Sequence, residues 1–234
     1  MLYLVGLGLN ERGISQDGLE ILKKCKKVYL ESYTIDLPYS AEKLEKIIKK
    51  KIISANREFI ESLRFLDEAK KDDVALLIYG SPLFATTHIS ILQEAKKRKI
   101  GLKIIHNASI FNAVGETGLQ LYKFGKIASM PNFEADSYID IVKKNLSIKS
   151  HSLILIDIGM DFKNAIGKLT RDSDKNKLKF DKIMVCERLG LKDYRIYYNN
   201  IKSLKSLKIR SPFCIIIPSD LHFMEKEILK NFSN

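Results

Sequence analysis

Residues 1–31, MLYLVGLGLNERGISQDGLEILKKCKKVYLE, predict a strand, a glycine-containing loop, a helix and a second strand, in that order. The two strands are the short apolar runs Leu2–Val5 and Val28–Leu30, and the helix between them covers Asp17–Lys26. Ser15 stands where a side chain can cap the start of that helix. A strand, a helix and a strand in succession are typical of a parallel crossover unit.

The same alternation continues to the end of the chain. Further buried strands are predicted at Val74–Ile78, Leu102–Ile105, Leu153–Ile156, Ile183–Cys186 and Cys214–Ile217. Helical patterns lie between them, at Lys43–Lys50, Ile60–Ala69, Ile89–Lys99, Ile110–Leu121, Tyr138–Asn145 and Met224–Phe232. The stretch Lys163–Phe180 contains a short apolar pattern followed by RDSDKNK, which predicts a solvated turn or loop. The whole pattern predicts an α/β fold with largely parallel strand pairing.

The composition of the sequence changes in the middle of the chain. Residues 106–126, HNASIFNAVGETGLQLYKFGK, contain three glycines in a short span, which is typical of a hinge. We therefore expect two α/β lobes, residues 1–113 and residues 114–234.

Composition limits the classes of function. Lys and Arg number 40 against 28 Asp and Glu, a formal net charge of +12. This charge suits an anionic partner, although a lysine-rich genome would produce it as well. Cys25, Cys186 and Cys214 lie far apart in sequence without a metal-ligand spacing, and the longest apolar runs are too short to cross a bilayer. These features predict a reduced, cytoplasmic protein without a metal site.

Three loops follow predicted strands and are rich in small residues. They contain Gly6-Leu7-Gly8-Leu9, Gly80-Ser81-Pro82 and His106-Asn107-Ala108-Ser109-Ile110. The Gly-Ser-Pro break predicts that the chain restarts as a helix there, and Asn107 or Ser109 is the expected cap of the helix after the third loop. Since carboxyl ends of parallel strands share one edge of a sheet, the loops should converge on a ligand.

The first loop also has features of a dinucleotide site. Glu31 at the end of the second strand is placed like a ribose-binding carboxylate. However, Glu11 stands where that motif has its third glycine, and the loop runs on through Gly13 before a helix begins. Nicotinamide or flavin binding is therefore the weaker interpretation.

Longer stretches carry a family resemblance. The segments MLYLVGLGLNERGIS, GLEILKKCKKVYLESYT, GSPLFATTH and IIHNASIFNAVGETGLQLYKFGK resemble the diphthine synthases of the tetrapyrrole methylase superfamily. The resemblance is dense up to about residue 126 and thinner at LILIDIG, VCERLG and PFCIIIPSDLHFMEKEIL. It implies two α/β lobes with S-adenosylmethionine in the cleft between them.

The resemblance also implies an activity. Such enzymes methylate the amino group of an aminocarboxypropyl-histidine in translation elongation factor two, repeatedly in archaeal members, and release S-adenosylhomocysteine. Carried over by motif, the expected cofactor contacts are Leu9, Ser81, Phe84, Ser109, Ile110, Ile156, Leu189 and Phe213. Since similar enzymes pair through their lobes, a homodimer is expected, with no membrane or RNA partner.

Three departures from the family pattern concern the site and its surroundings. Ser81 replaces the usual aspartate of a Gly-Asp-Pro sequence, the region between Leu169 and Asp181 is short and charged, and Ser219 stands in place of a glycine. Two alternatives stay open at this point. One is an RNA methyltransferase of the same superfamily, which the charge would suit, and the other is a catalytically silent cofactor-binding or RNA-binding relative. Tyr194, Tyr197, Tyr198 and Arg195 come closest to an RNA-stacking cluster, although their alternation favours a strand.

Overall fold

The computed structural model describes residues 1–84 and 88–233. The chain divides into two compact units, Met1–Asn112 and Ala113–Asn234. Ala85, Thr86 and Thr87, which form most of the ATTH segment of the family resemblance, lie outside the described residues.

The first unit is built on a fully parallel sheet. Its strands are β1 (Leu2–Gly6), β2 (Lys27–Glu31), β3 (Ile53–Ala55), β4 (Val74–Ile78) and β5 (Leu102–Ile105), in the order β3-β2-β4-β1-β5. Its helices are α1 (Gln16–Lys24), α2 (Ala41–Ile48), α3 (Arg57–Ser62), α4 (Arg64–Ala69), α5 (Ile89–Lys97) and α6 (Ile110–Ala113), the last of which ends just past the unit boundary. Every residue of the central strand β4 is buried, as expected for a parallel sheet covered on both faces.

The second unit contains a mixed sheet. Its strands are β6 (Ala128–Met130), β7 (Ser152–Ile156), β8 (Ile183–Glu187), β9 (Arg195–Asn199) and β10 (Phe213–Ile217), in the order β6-β7-β10-β8-β9. Its helices are α7 (Ser137–Ser147), α8 (Phe162–Lys175), α9 (Ile201–Leu204) and α10 (Phe223–Leu229). Here β6 and β7 are parallel, whereas β7, β10, β8 and β9 pair antiparallel in succession. The expectation of largely parallel pairing is wrong for this unit, because β10 returns between β7 and β8 in the opposite direction.

The predicted solvated turn or loop at RDSDKNK is wrong for residues 171–175 and holds only for Asn176 and Lys177, which form a turn. Helix α8 continues through Lys175, and its buried face includes Leu169, Asp172 and Ser173. The carboxylate of Asp172 accepts a hydrogen bond from the Tyr138 hydroxyl at 2.9 Å and lies 3.2 Å from Lys168. Partners for the polar groups therefore let a polar stretch occupy the inner face of a helix.

Helix starts and ends differ from expectation at several points. Ser15 does cap α1, accepting from the Gly18 amide at 3.1 Å. The last helix, α10, is capped by His222. The helix predicted over residues 110–121 stops at Ala113 and continues as a 3-10 turn. No helix starts at the Gly-Ser-Pro break within the described residues, since α5 begins only at Ile89.

The topology brings together two cysteines that are distant in sequence. Cys186 and Cys214 are opposite each other on β8 and β10, both are buried, and both are free thiols. The Cys214 contact and burial raise the pKa of the Cys186 thiol, so it stays protonated.

No helix within residues 1–84 and 88–233 is long and apolar enough to span a bilayer. In the same residues, no group of three His, Cys, Asp or Glu side chains is arranged to hold a metal ion.

Candidate cofactor site

The loops after β1 and β4 are joined directly by backbone hydrogen bonds. Gly8 N–H donates to the Gly80 carbonyl at 3.2 Å, and Gly80 N–H donates to the Gly8 carbonyl at 2.9 Å. A Cβ placed on Gly6 would lie only 2.7 Å from the Gly80 carbonyl oxygen, closer than real side chains approach. The glycines thus allow the two backbones to approach closely. The place where the loops after β1, β4 and β5 meet is called the loop junction below.

Asn107 connects the third loop to the first. Its Nδ2 donates to the carbonyl of Gly6 at 2.9 Å and to that of Gly13 at 2.8 Å, while its Oδ1 accepts from the Ala108 amide at 2.8 Å. The Asn107 side chain is therefore used across loops rather than as the cap of α6, and Ser109, the other expected cap, directly precedes that helix. The junction of the three loops rests on this one amide and on the two glycine contacts.

The structure brings the expected contacts of the first unit to this junction. Ser81 and Ser109 are both 4% exposed, and a Cβ on Gly80 would lie 3.7 Å from Cα and Cβ of Ser109. Leu9 is buried, and its carbonyl accepts from the Tyr79 hydroxyl at 2.9 Å. Two further expected contacts, Phe84 in the second loop and Ile110 at the start of α6, lie in the same loops.

An aromatic pair lies beside these small residues. The ring of Phe84 is 5.0 Å from that of Phe111, measured between centroids, and Phe84 is 51% exposed. An exposed aromatic face next to buried hydroxyl groups is suited to the stacking of a purine ring.

The expected contacts of the second unit meet at one end of its own sheet. Ile156 ends β7, Phe213 begins β10, and Leu189 follows β8. The register pairs Cys214 with Leu155 and Phe213 with Glu187, so these three positions are neighbours. Leu189 and Phe213 are buried, and Phe213 packs edge-to-face on Phe162 at 5.6 Å.

Glu31 is used within its own loop. Its carboxylate accepts from the Tyr33 amide and the Thr34 amide at 2.7 Å each and from the Thr34 hydroxyl at 2.6 Å. It is 1% exposed. The carboxylate thus orders residues 31–34, which argues against a role in binding a ribose.

His88 is buried near this loop. Burial lowers the pKa of the imidazole, although the Glu31 carboxylate raises it in part. The ring contacts Tyr33 edge-on at 6.3 Å, and its Nδ1 lies 3.4 Å from the Pro82 carbonyl. His88 is therefore a buried residue that packs against Tyr33 and the Pro82 carbonyl.

Sequence reasoning missed a buried ionic network in the second unit. The Glu225 carboxylate is 1% exposed and accepts from the backbone of Gln120 and His222 and from the side chains of Lys123 and His151, at 2.8, 2.7, 2.7 and 3.1 Å. These donors outweigh burial and lower the pKa of Glu225 to about 2. The spacing from His222 to Glu225 is that of a capping box, which was the signal available in the sequence.

His151 completes this network from the first residue before β7. Its Nδ1 accepts from the Ser219 amide at 2.9 Å, so the proton is on Nε2 and is donated to Glu225. Burial lowers the pKa of His151, which keeps the ring neutral. Ser219 takes part through its backbone and has no positive φ, so the backbone conformation at this position does not require a glycine.

The residues at the loop junction fit S-adenosylmethionine. The glycine backbones permit close approach, the serines offer small polar groups, and the Phe84 ring is open to contact. Among the described residues of the three loops, Arg12 is the only Lys or Arg, and it is exposed, so a phosphate there would meet only one cationic side chain. A cationic, phosphate-free cofactor is compatible with this surface.

Comparison with known proteins identifies the family. Residues 1–205 match the family described as Tetrapyrrole (Corrin/Porphyrin) Methylases. The chain belongs to this family. This tetrapyrrole methylase is 38% identical to the diphthine synthase of Methanococcus maripaludis, over 98% of both chains. It is 35% identical to the diphthine methyl ester synthase of Schizosaccharomyces pombe, over 100% of this chain and 94% of that one.

A solved structure agrees with the sequence comparisons. A protein of Entamoeba histolytica, assigned as a diphthine synthase, superposes with a TM-score of 0.91 at 34% identity, covering 100% of this chain and 98% of that one. The tetrapyrrole methylase therefore groups with the diphthine synthases, and enzymes of this family are S-adenosylmethionine-dependent methyltransferases. The expected fold class, two α/β lobes of the tetrapyrrole methylase type, is confirmed.

Proposed function

We propose that this protein is the S-adenosylmethionine-dependent methyltransferase of diphthamide biosynthesis. Its substrate is translation elongation factor two carrying an aminocarboxypropyl-histidine, and it methylates the amino group of that side chain up to the trimethylammonium. The observation that carries the proposal is the full-length similarity to relatives named for this step, from two distant groups of organisms. A cytoplasmic location follows from that substrate.

The cofactor-binding roles are part of the proposal. In the first unit Leu9, Ser81, Phe84, Ser109 and Ile110 hold S-adenosylmethionine, and Ile156, Leu189 and Phe213 contribute from the second. The bound cofactor supplies an activated methyl group on a sulfonium. The protein's own part is to align the acceptor amine and to exclude water, since a desolvated amine loses its proton more readily and only the neutral form attacks.

The RNA alternative finds little support in the tyrosine cluster. Tyr197 and Tyr198 are successive residues of β9 and point to opposite faces. The Tyr197 hydroxyl lies 3.3 Å from Glu187, and the Tyr198 ring lies under Lys182 at 5.3 Å. These rings do not form the continuous platform that stacking on single-stranded RNA requires.

Methyl transfer to the protein substrate tests the proposal. The purified enzyme should transfer labelled methyl groups from S-adenosylmethionine to elongation factor two that bears the aminocarboxypropyl arm, and not to factor that lacks it. Label on unrelated transfer RNA would favour the RNA alternative. Absence of label on every acceptor, with S-adenosylmethionine still bound, would favour the silent relative.

Ser81→Asp is expected to strengthen cofactor binding. A charge-assisted contact contributes roughly 1.5–3 kcal/mol and a neutral hydroxyl about 0.5–1.5, so a gain of about tenfold in affinity is expected. Titration calorimetry with S-adenosylmethionine and S-adenosylhomocysteine measures it. A gain in affinity for S-adenosylmethionine alone would assign the contact to the sulfonium. A gain for both ligands would assign it to the ammonium or the ribose that they share. Unchanged affinity for both ligands would refute the contact.

We also propose that the protein is a homodimer. Around the Glu225 network, Leu121, Tyr122, Phe223 and Met224 are 46–83% exposed, and Glu225 connects the two segments that carry them. Light scattering should give about twice the chain mass of 26.8 kDa, and Tyr122→Asp should lower it. The matched control is Phe133→Asp, which changes another exposed aromatic residue of the same unit. A wild-type mass near that of one chain would contradict the dimer.

A further inference from the structure

A polar cleft lies at the end of the second sheet, outside the residues assigned to the cofactor. The cleft is open and has a volume of about 430 Å³, and its wall includes Glu187, the last residue of β8. Glu187 is paired in register with Phe213, so the cleft is at the same sheet end as the proposed cofactor contacts of this unit.

The acidic groups of the cleft are already neutralised. Glu187 accepts from Nε of Arg210 at 2.5 Å and from the Tyr197 hydroxyl at 3.3 Å. Asp193 lies 2.6 Å from Nη1 of Arg210 and 3.2 Å from Nη1 of Arg188. Two carboxylates thus balance two guanidinium groups.

Three further cations line the cleft with their charges unbalanced. Lys192, Arg195 and Lys208 are exposed, and none of them lies within 4.0 Å of an acidic group among residues 1–84 and 88–233. The ring of Tyr194, 43% exposed, adds an apolar surface between them. A concave surface with three available cations around fixed ion pairs is complementary to an anionic ligand.

The sequence around the cleft is rich in positive charge. Residues 192–210 contain six Lys and Arg against one acidic residue, Asp193. This one segment therefore accounts for much of the positive charge of the second unit.

We propose that this cleft binds an acidic segment of the protein substrate, through carboxylates that pair with Lys192, Arg195 and Lys208. The inference rests on the proposed function, which makes the substrate a protein. The carboxylates of the cleft are held by Arg188 and Arg210, so the charges available to an incoming anion are those of Lys192, Arg195 and Lys208. A short peptide bearing a few carboxylates can lie in this open cleft with its backbone against Tyr194.

Charge reversal tests the proposal. The variant Lys192→Glu/Arg195→Glu/Lys208→Glu should raise KM for arm-bearing elongation factor two by about tenfold or more, with kcat and the affinity for S-adenosylmethionine unchanged. The conservative variant Lys192→Arg/Arg195→Lys/Lys208→Arg should keep the wild-type KM. The matched control, Lys144→Glu/Lys163→Glu/Lys179→Glu, changes the net charge of the same unit equally at exposed positions outside the cleft and should stay within about twofold.

The possible results distinguish a failure of the docking role from a failure of the proposed function. An unchanged KM in the cleft variant, or an equal rise in the control, would overturn the docking role while methyl transfer by the wild type stands. If the wild type transfers no methyl groups, equilibrium binding of elongation factor two to the same variants decides the docking role by the same comparison. Inhibition by transfer RNA that is lost only in the cleft variant would assign the cleft to RNA and refute the proposal.

Discussion

Replacing Glu225 with glutamine is expected to lower the free energy of unfolding by about 3 kcal/mol. The carboxylate is buried and receives four hydrogen bonds, from two backbone amides and from Lys123 and His151. Glutamine removes the charge that balances Lys123, whose side chain is only 21% exposed. Its NH₂ group is a donor and would stand where a carboxylate oxygen accepts hydrogen bonds. Urea unfolding of both proteins at pH 7 measures the difference.

The matched control for this substitution is on the same helix. Glu227→Gln removes a carboxylate that is 63% exposed and paired with Lys230 at 2.6 Å, and it should cost less than about 0.5 kcal/mol because surface pairs contribute little. Equal unfolding midpoints for the two variants would show that the Glu225 network is not a determinant of stability.

The same network predicts an acid dependence with a defined sign. The folded-state pKa of Glu225 is about 2, below its ordinary value of 4.5, so the carboxylate stabilises the fold above pH 4.5. That contribution, about 3 kcal/mol, is lost as the pH falls from 4.5 towards 2. The lowered pKa of His151 acts in the same direction, since its neutral form is the folded one. Unfolding curves from pH 7 to pH 2.5 should therefore converge for wild type and Glu225→Gln.

Gly6→Ala is expected to weaken S-adenosylmethionine binding by more than tenfold. The new methyl group would lie 2.7 Å from the Gly80 carbonyl oxygen and 2.9 Å from Cβ of Asn107, so the loops after β1, β4 and β5 must move apart. Overpacking of this kind costs about 1–3 kcal/mol, and 1.4 kcal/mol is a factor of ten in affinity. Calorimetry measures the affinity, and the melting temperature shows how much of the cost falls on the fold.

Gly101→Ala serves as the control for the loop junction. Gly101 precedes β5 at the opposite end of the strand, and its nearest neighbours are atoms of the flexible Met1 side chain, from 3.2 Å outward. Its substitution should leave cofactor affinity unchanged. If Gly6→Ala also binds S-adenosylmethionine with wild-type affinity, the loop junction is not the cofactor site.

The sequence predicts the first unit well because its signals are local. Strands such as Val74–Ile78 are continuous apolar runs, and Ser15 is recognisable as a cap from the helix that follows it. The direction of a strand has no such signature, so the antiparallel course of β10, which makes Cys186 and Cys214 neighbours, could not be predicted. The helical course of α8 depends on partners for Asp172 that come from α7, distant in sequence.

The candidate site was predictable only in outline. Small residues after three strands indicate a ligand end of the sheet, and the family resemblance supplies the individual positions. That Asn107 joins two loops rather than capping a helix depends on the carbonyl positions of Gly6 and Gly13, which no local pattern encodes. The role of Lys123 within YKFGK likewise appears only when Glu225, near the other end of the unit, folds against it.

Mass spectrometry of the acceptor histidine tests the central claim most directly. Elongation factor two bearing the aminocarboxypropyl arm is incubated with the enzyme and S-adenosylmethionine, and the modified peptide is sequenced. The account predicts the addition of three methyl groups on the amino nitrogen, all stable to mild alkali. An additional methyl removed by alkali would be an ester, the product in the name of the Schizosaccharomyces pombe relative, and would extend the specificity. An arm that gains no methyl group, although the enzyme binds S-adenosylmethionine, would contradict the account.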